Sequence, residues 1–262
     1  MYSFDYQRPR TPADAVKAAQ GDARYLAGGQ SLVQAMRLRL SSSETLVDLG
    51  GVAGMSGITV DAASVTIGAM TTHAAVAASA QVQRAIPALA KLAGDIGDPS
   101  VRNMGTLGGA VANADPAADY PAALVALGAT VHTDQREIAA EDFFTGLYET
   151  ALRPGELLTA VRFPVPKRAA YEKFKQPASR FAMVGVFVSE GAQGVKVAVT
   201  GAGASVFRVK PMEDALAKSF TADAIKGVVV AADGLNSDMH ATAAYRAAMI
   251  TVMAQRAVAK AS

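Results

Sequence analysis

The chain has 262 residues, of which 51% are hydrophobic and 18% charged, with a formal net charge of +2. This is enough apolar material for one large domain or two to three small ones, and the charge is too balanced to point to nucleic acid as a partner. There is no cysteine, which excludes disulfides, thiolate catalysis and cysteine-ligated iron–sulfur clusters within this chain.

His73, His132 and His240 are scattered and give no metal-ligand spacing. No basic N-terminal segment leads into an apolar stretch, and no run of 18 apolar residues occurs. The default expectation is a cytoplasmic protein without membrane insertion.

In chain order, Thr11-Pro12-Ala13-Asp14 predicts a helix start, with Thr as cap, Pro first and Asp third. Ala15, Val16 and Ala19 supply its buried stripe, and Gly21 ends it. Residues 24–27 read as a short strand feeding Gly28-Gly29-Gln30-Ser31. Residues 31–40 read as helical, with Leu32, Met36 and Leu40 at i, i+4 and i+8. Arg37 and Arg39 read as solvated or paired cations, not ligands. Leu46, Val47 and Leu49 form another strand closed by Gly50-Gly51. Residues 1–55 are therefore expected as a small α/β unit.

Residues 58–60 and 65–67 predict a hairpin with period-2 alternation. Thr71 or Thr72 caps a short helix, and Pro87 opens another with Leu89, Leu92 and Ala93 on one face. Residues 121–127 are helical and 129–133 a strand, with turn and edge elements from Glu137 to Phe144. Residues 157–163 are a clear strand ending at Pro164. Composition shifts at Pro164-Val165-Pro166-Lys167-Arg168, a predicted linker. Strands follow at 171–176, 183–189 and 195–200. Helices follow at 212–218, 222–230 and 240–260, the last with Tyr245, Met249 and Val252 on one face. Strands followed by helices predict an α+β C-terminal domain.

The stretch richest in chemistry is residues 97–119, GDPSVRNMGTLGGAVANADPAAD. Gly105, Gly108 and Gly109 bracket Thr106. Closely spaced glycines let a backbone turn sharply and bring bare N–H groups to an anion. With no run of Lys or Arg, such a loop would hold a phosphate by backbone amides. Residues 25–31, YLAGGQS, have the same character. Neither stretch is a Walker loop, and neither matches the G-x-G-x-x-G dinucleotide fingerprint. A lone paired glycine reads equally as a tight turn. Two such loops suggest a pyrophosphate held between two segments.

AGGQS, followed roughly eighty residues later by VRN-x-GT-x-GG…ADPAAD, resembles the flavin subunit of the molybdenum hydroxylases. That group includes carbon monoxide dehydrogenase medium subunits and xanthine dehydrogenase FAD domains. The resemblance covers nearly the whole chain. It implies an α+β fold, with a two-lobed FAD-binding region of the vanillyl-alcohol-oxidase (PCMH) type at residues 1–166 and lobes at 1–55 and 56–166. A C-terminal α+β domain of the carbon monoxide dehydrogenase flavoprotein type follows at residues 167–262.

The resemblance also implies the site. The first loop contributes Leu26, Ala27, Gly28, Gly29, Gln30, Ser31 and Leu32, and the second Thr106, Leu107, Gly108, Gly109 and Ala110. Asp119 matches the family's cofactor-contacting Asp, and it also suits the cap of the following helix. Ile96 and Leu158 match apolar positions beside the flavin, although either reads as core from the sequence alone. Lys175 falls where the xanthine dehydrogenase branch reaches the flavin, and a cation there would stabilise the reduced ring. Tyr171 reads as a shield for a ring face or as a strand aromatic. Asp115 reads as structural. The chain departs from the family pattern at Ala110, where Ser or Asn is common, and at Asn113, often His.

By the same resemblance the cofactor is FAD; with no cysteine in the chain and no histidine in either glycine loop, it is expected to be held non-covalently. The molybdenum cofactor and the 2Fe-2S clusters sit on a large and a small partner subunit, in a dimer of heterotrimers. The implied function is electron transfer from those clusters to an external acceptor. A stand-alone vanillyl-alcohol-oxidase-type flavin oxidoreductase and a flavin-free scaffold subunit are the alternatives. The first needs a proton donor of its own, and the intact glycine loops disfavour the second.

Overall fold

The structure, a computed structural model, describes residues 1–261. The last residue of the expected C-terminal domain, 262, lies outside the described residues. The chain begins with β1 (Asp5–Gln7), α1 (Pro12–Ala18), β2 (Ala23–Leu26), α2 (Leu32–Arg37) and β3 (Thr45–Asp48). The three strands form a parallel sheet in the order β1-β3-β2. Thr11 caps α1, its hydroxyl accepting from the Asp14 amide at 3.1 Å. α2 is shorter than the apolar spacing predicts. It ends at Arg37, Arg39 takes a left-handed φ of 60°, and Leu38 and Leu40 are exposed. Only Met36 of the expected stripe finds a core to enter.

The chain goes on through β4 (Ile58–Val60), β5 (Ser64–Gly68), α3 (His73–Ala78), α4 (Ala80–Ala85), α5 (Pro87–Gly94), α6 (Pro99–Met104), α7 (Leu107–Asn113) and α8 (Tyr120–Leu127). It continues through β6 (Thr130–Thr133), β7 (Glu137–Ala139), α9 (Ala140–Phe143), β8 (Phe144–Gly146), β9 (Glu149–Thr150) and β10 (Leu158–Pro164). β4-β5-β10-β6-β7 is an antiparallel sheet. All eight residues of α8 are buried. A helix apolar on every side belongs at the centre, and α8 packs between this sheet and the next.

Residues 165–167 lead into β11 (Arg168–Lys175), β12 (Ala182–Gly191), β13 (Gly194–Thr200), β14 (Phe207–Arg208), α10 (Lys210–Lys218) and α11 (Ala243–Lys260). These strands form an antiparallel sheet in sequence order. Strand periodicity sorts its side chains. Tyr171, Phe187 and Ala198 join the core around α8, whereas Val186, Val188, Val197 and Val199 join a second core under α10 and α11.

Two expectations fail in this last region. The helix predicted at 222–230 is a single 3-10 turn at Ala222–Ile225, because Gly227 and three consecutive valines do not favour continuation. The last helix starts at Ala243, not residue 240, where the Thr242 hydroxyl accepts from the Tyr245 amide at 3.2 Å. Its buried face is Arg246, Ile250, Met253, Ala254 and Ala257, one step round from the predicted stripe, and Tyr245 is exposed. The buried Arg246 fixes this rotation by donating to the carbonyls of Met183 at 2.6 Å and Gly201 at 3.1 Å. Among the described residues no helix is long and apolar enough to cross a membrane.

Glu156, just before β10, ties that strand to β6. One carboxylate oxygen accepts from Thr133 at 2.8 Å and Arg136 at 2.9 Å, the other from Arg136 at 3.0 Å and the Arg153 amide at 2.8 Å. The Arg136 guanidinium, with the Arg153 amide and Thr133 hydroxyl, holds this carboxyl down at about 2 against the pull of burial. The folded value lies below the ordinary 4.5. The stabilisation is therefore complete above that ordinary value and lost as pH falls toward the folded one. Glu156→Gln is expected to cost about 2 kcal/mol at neutral pH. Denaturant midpoints should show the gap to wild type narrowing from pH 6 toward pH 3. A gap that stays constant would show that the charge is not what matters.

Candidate functional site

β2 feeds a loop, residues 27–31, that is pressed against the start of α7. Gly28 and Gly29 are glycine for different reasons. A Cβ on Gly28 would lie 2.7 Å from the Gly105 Cα and nearer still to the Met104 carbonyl oxygen. Gly29 has a φ of 70°, a conformation that L side chains rarely adopt. The loop and α7 flank an open cleft of about 280 Å³.

The hydrogen bonds of the two glycine segments differ. Among the described residues, the amides of Gly28, Gly29, Gln30, Ser31 and Leu32 donate to no protein acceptor. In the second segment the amides after Thr106 are spent, and among the described residues that of Thr106 has no acceptor. Leu107 donates to the Thr71 carbonyl at 3.0 Å and Gly108 to that of Ala69 at 2.8 Å. Gly109 donates to the Thr106 hydroxyl at 3.1 Å and Ala110 to the Thr106 carbonyl at 3.1 Å. Gly108 and Gly109 lie inside α7, not in a loop. Their role is close approach, since a Cβ on Gly108 would stand 2.5 Å from that of Ala69. The free donors here are the Thr106 amide and the Thr106 hydroxyl hydrogen, whose oxygen serves as the cap acceptor.

Of the predicted site residues, Ala27, Gly28, Gly29, Gln30, Ser31, Leu32, Thr106, Gly108, Gly109, Ala110 and Leu158 line this cleft together. Leu26, Leu107, Ile96, Asp119 and Lys175 do not. Leu107 is fully buried. Lys175 lies at the exposed end of β11, past a register shift against β12. The buried ammonium on that strand is Lys173.

The sequence reading missed Arg24, Tyr25, Met70, His73 and Glu156 on the cleft wall. Tyr25 donates to the Gly155 carbonyl at 2.8 Å, and burial pushes its phenol up to about 12. Both Glu156 oxygens are engaged by Arg136, Thr133 and Arg153 as above. A cleft with uncommitted N–H and O–H donors and an internally paired carboxylate suits an anionic ligand group.

Asp119 does not cap α8. Its buried carboxylate takes the Tyr171 hydroxyl at 2.5 Å and the Lys173 ammonium at 2.9 Å. Lys173 also donates to the Asp95 carbonyl at 2.9 Å, next to Ile96. Burial pushes the Asp119 carboxyl up, against the opposing pull of Lys173, and pushes the Tyr171 phenol up strongly. Tyr171 is thus a neutral donor inside the protein. Asp115 is structural, bonding the Ala117 amide at 2.8 Å and the Tyr148 hydroxyl at 3.1 Å.

Residues 2–166 match the family described as "FAD binding domain in molybdopterin dehydrogenase". The chain is 38% identical to the carbon monoxide dehydrogenase medium chain of Afipia carboxidovorans, over 99% of this chain and 96% of that one. The chain belongs to this family. It is also 33% identical to the 6-hydroxypseudooxynicotine dehydrogenase complex subunit alpha of Paenarthrobacter nicotinovorans, covering 99% of this chain and 94% of the relative. The structure resembles a chain of the reconstituted carbon monoxide dehydrogenase from Oligotropha carboxidovorans, with a TM-score of 0.90 at 36% identity over 99% of this chain and 97% of that one. The protein is thus an FAD-binding medium subunit of the molybdenum hydroxylases, an oxidoreductase component.

The buried pair gives a test of how the medium subunit is held together. Removing one member of a buried ion pair strands the other, which costs about 3–5 kcal/mol. Asp119→Ala, which strands Lys173, is expected to lower the thermal midpoint by about 10 °C. The double variant Asp119→Leu with Lys173→Met should recover more than half of that loss. Circular dichroism melts would check this. A double-variant loss equal to the sum of the separate Asp119→Leu and Lys173→Met losses would show that the pair is not coupled.

Proposed function

We propose that this medium subunit takes electrons from 2Fe-2S clusters on a small iron–sulfur partner and passes them to an external acceptor. In this reading it sits in a cytoplasmic complex whose large subunit carries the molybdenum cofactor, paired as a dimer of heterotrimers. The observation that carries the reading is the donor set of the cleft. The five free amides of residues 28–32 and the Thr106 hydroxyl would hold the FAD pyrophosphate. Ala27, Gly108, Gly109, Ala110 and Leu158 would give the bare surface beside it. Bound there, FAD supplies both one- and two-electron chemistry, which lets single-electron clusters serve a two-electron acceptor.

The chain's own residues hold and shield the cofactor. The Tyr25 hydroxyl and Glu156 carboxylate are bonded inward, so neither is presented to a substrate as an acid or base. This favours electron transfer over a stand-alone flavin oxidoreductase. The relatives are named for substrates as different as carbon monoxide and 6-hydroxypseudooxynicotine. That contrast supports a substrate chosen on another subunit. Asp119 acts in this reading through Tyr171 and Lys173. Ile96 and Lys175 would reach the cofactor only from outside the cleft described.

Three results are expected of the purified chain. Acid precipitation should leave its yellow flavin in the supernatant, dithionite should bleach it, and no organic substrate should bleach it until the partner subunits are added. Turnover by the isolated chain, free of iron and molybdenum, at about 1 per second or faster would overturn this function in favour of the stand-alone enzyme.

A further inference from the structure

His73 opens α3 and is 4% exposed. Its backbone amide is tied to the Gly105 carbonyl at 3.0 Å, and its ring lies 5.4 Å from that of Tyr120. Among the described residues no group bonds either ring nitrogen. Nδ1 is sealed off without a partner, and the residue lines the cleft. A Cβ on Gly105 would stand 2.7 Å from His73 Nε2, and a Cβ on Gly28 would stand 2.7 Å from the Gly105 Cα. The Nε2 edge is therefore one glycine away from the loop with the free amides.

We propose that His73 is a cofactor-binding residue whose Nε2–H donates to a phosphate oxygen of the bound FAD. The inference rests on the FAD reading of this cleft. A neutral imidazole carries one proton. Placing it on Nδ1 would bury a donor with no acceptor and turn a lone pair toward the anion, so an anion in the cleft selects the Nε2–H tautomer. Burial, with Arg102 on α6 adding to it, lowers the His73 pKa to about 4. At neutral pH the ring is uncharged and donates one hydrogen. Tyr120 on α8, also without a hydroxyl partner, packs against the ring and leaves it no other exit.

The chain has three histidines, so its 15N-histidine spectrum can be assigned by substitution. In the full-length chain, adding FAD should move the His73 nitrogens to a fixed Nε2–H tautomer, and adding ADP should do the same. His73→Leu should weaken FAD binding about ten- to a hundredfold, the effect of one hydrogen bond to a charged group. It should leave riboflavin, which has no phosphate, unaffected. His73→Gln, which keeps an N–H donor, should recover part of the loss. Wild-type FAD affinity in His73→Leu, or His73 signals unmoved at saturating FAD, would overturn the inference and leave the cofactor reading intact. A wild-type chain that binds no FAD would overturn both. Should His73→Leu not fold, the wild-type spectrum decides alone.

Discussion

The arrangement depends on one contact that no side chain can enter. Gly28 lies against the Met104–Gly105 backbone, and there is no space for a Cβ between them. This is where the parallel sheet β1-β3-β2 meets α6 and α7. Any larger residue at position 28 would part the two segments and cover the amides beside it. Gly29 completes the turn with a left-handed φ. The two adjacent glycines therefore answer two constraints, a distance and a dihedral angle.

The cleft's chemistry follows from where backbone hydrogen bonds go. The five half-buried or exposed amides of residues 28–32 have no acceptor among the described residues, and together they offer a bound anion a row of donors. The Thr106 amide adds one more from the other side. The second segment spends its later amides on Ala69, Thr71 and Thr106, which fixes α7 as a rigid wall. One side thus grips and the other shapes. Arg24 adds a cation on the wall, while the Glu156 charge is neutralised from behind by Arg136.

Local signals made much of this legible in the sequence. Thr11 and Pro12 marked α1, the 58–67 alternation marked the hairpin, and the paired glycines marked both walls of the cleft. Long-range pairing was not legible. Nothing near Lys173 distinguishes it from Lys175, because what buries it is Asp119 and the Asp95 carbonyl, far away in the chain. His73 follows an ordinary helix cap, and only the fold brings it beside Gly105. The rotation of α11 was misjudged because alanines dilute its apolar stripe and a buried Arg246 decides the face. The glycine pattern likewise does not reveal which segment keeps its amides free, since that depends on the carbonyls of Ala69 and Thr71.

The C-terminal sheet then has a structural task at the cleft. The segment after α7, residues 115–119, is stitched to it. Thr200 donates to the carbonyls of Pro116 and Ala118, Gly201 to that of Pro116 and Ala182 to that of Ala117. Tyr171 and Lys173 hold Asp119 from the same sheet. α7 is therefore fixed at its start by Ala69 and Thr71 and just past its end by the C-terminal sheet. From there Tyr120 packs on His73, and His73 reaches Gly105 and the loop contact at Gly28. Packed interiors transmit displacement because they hold few voids. A shift of the C-terminal sheet would accordingly move the wall of the cleft. The C-terminal sheet thus anchors the segment that leaves α7.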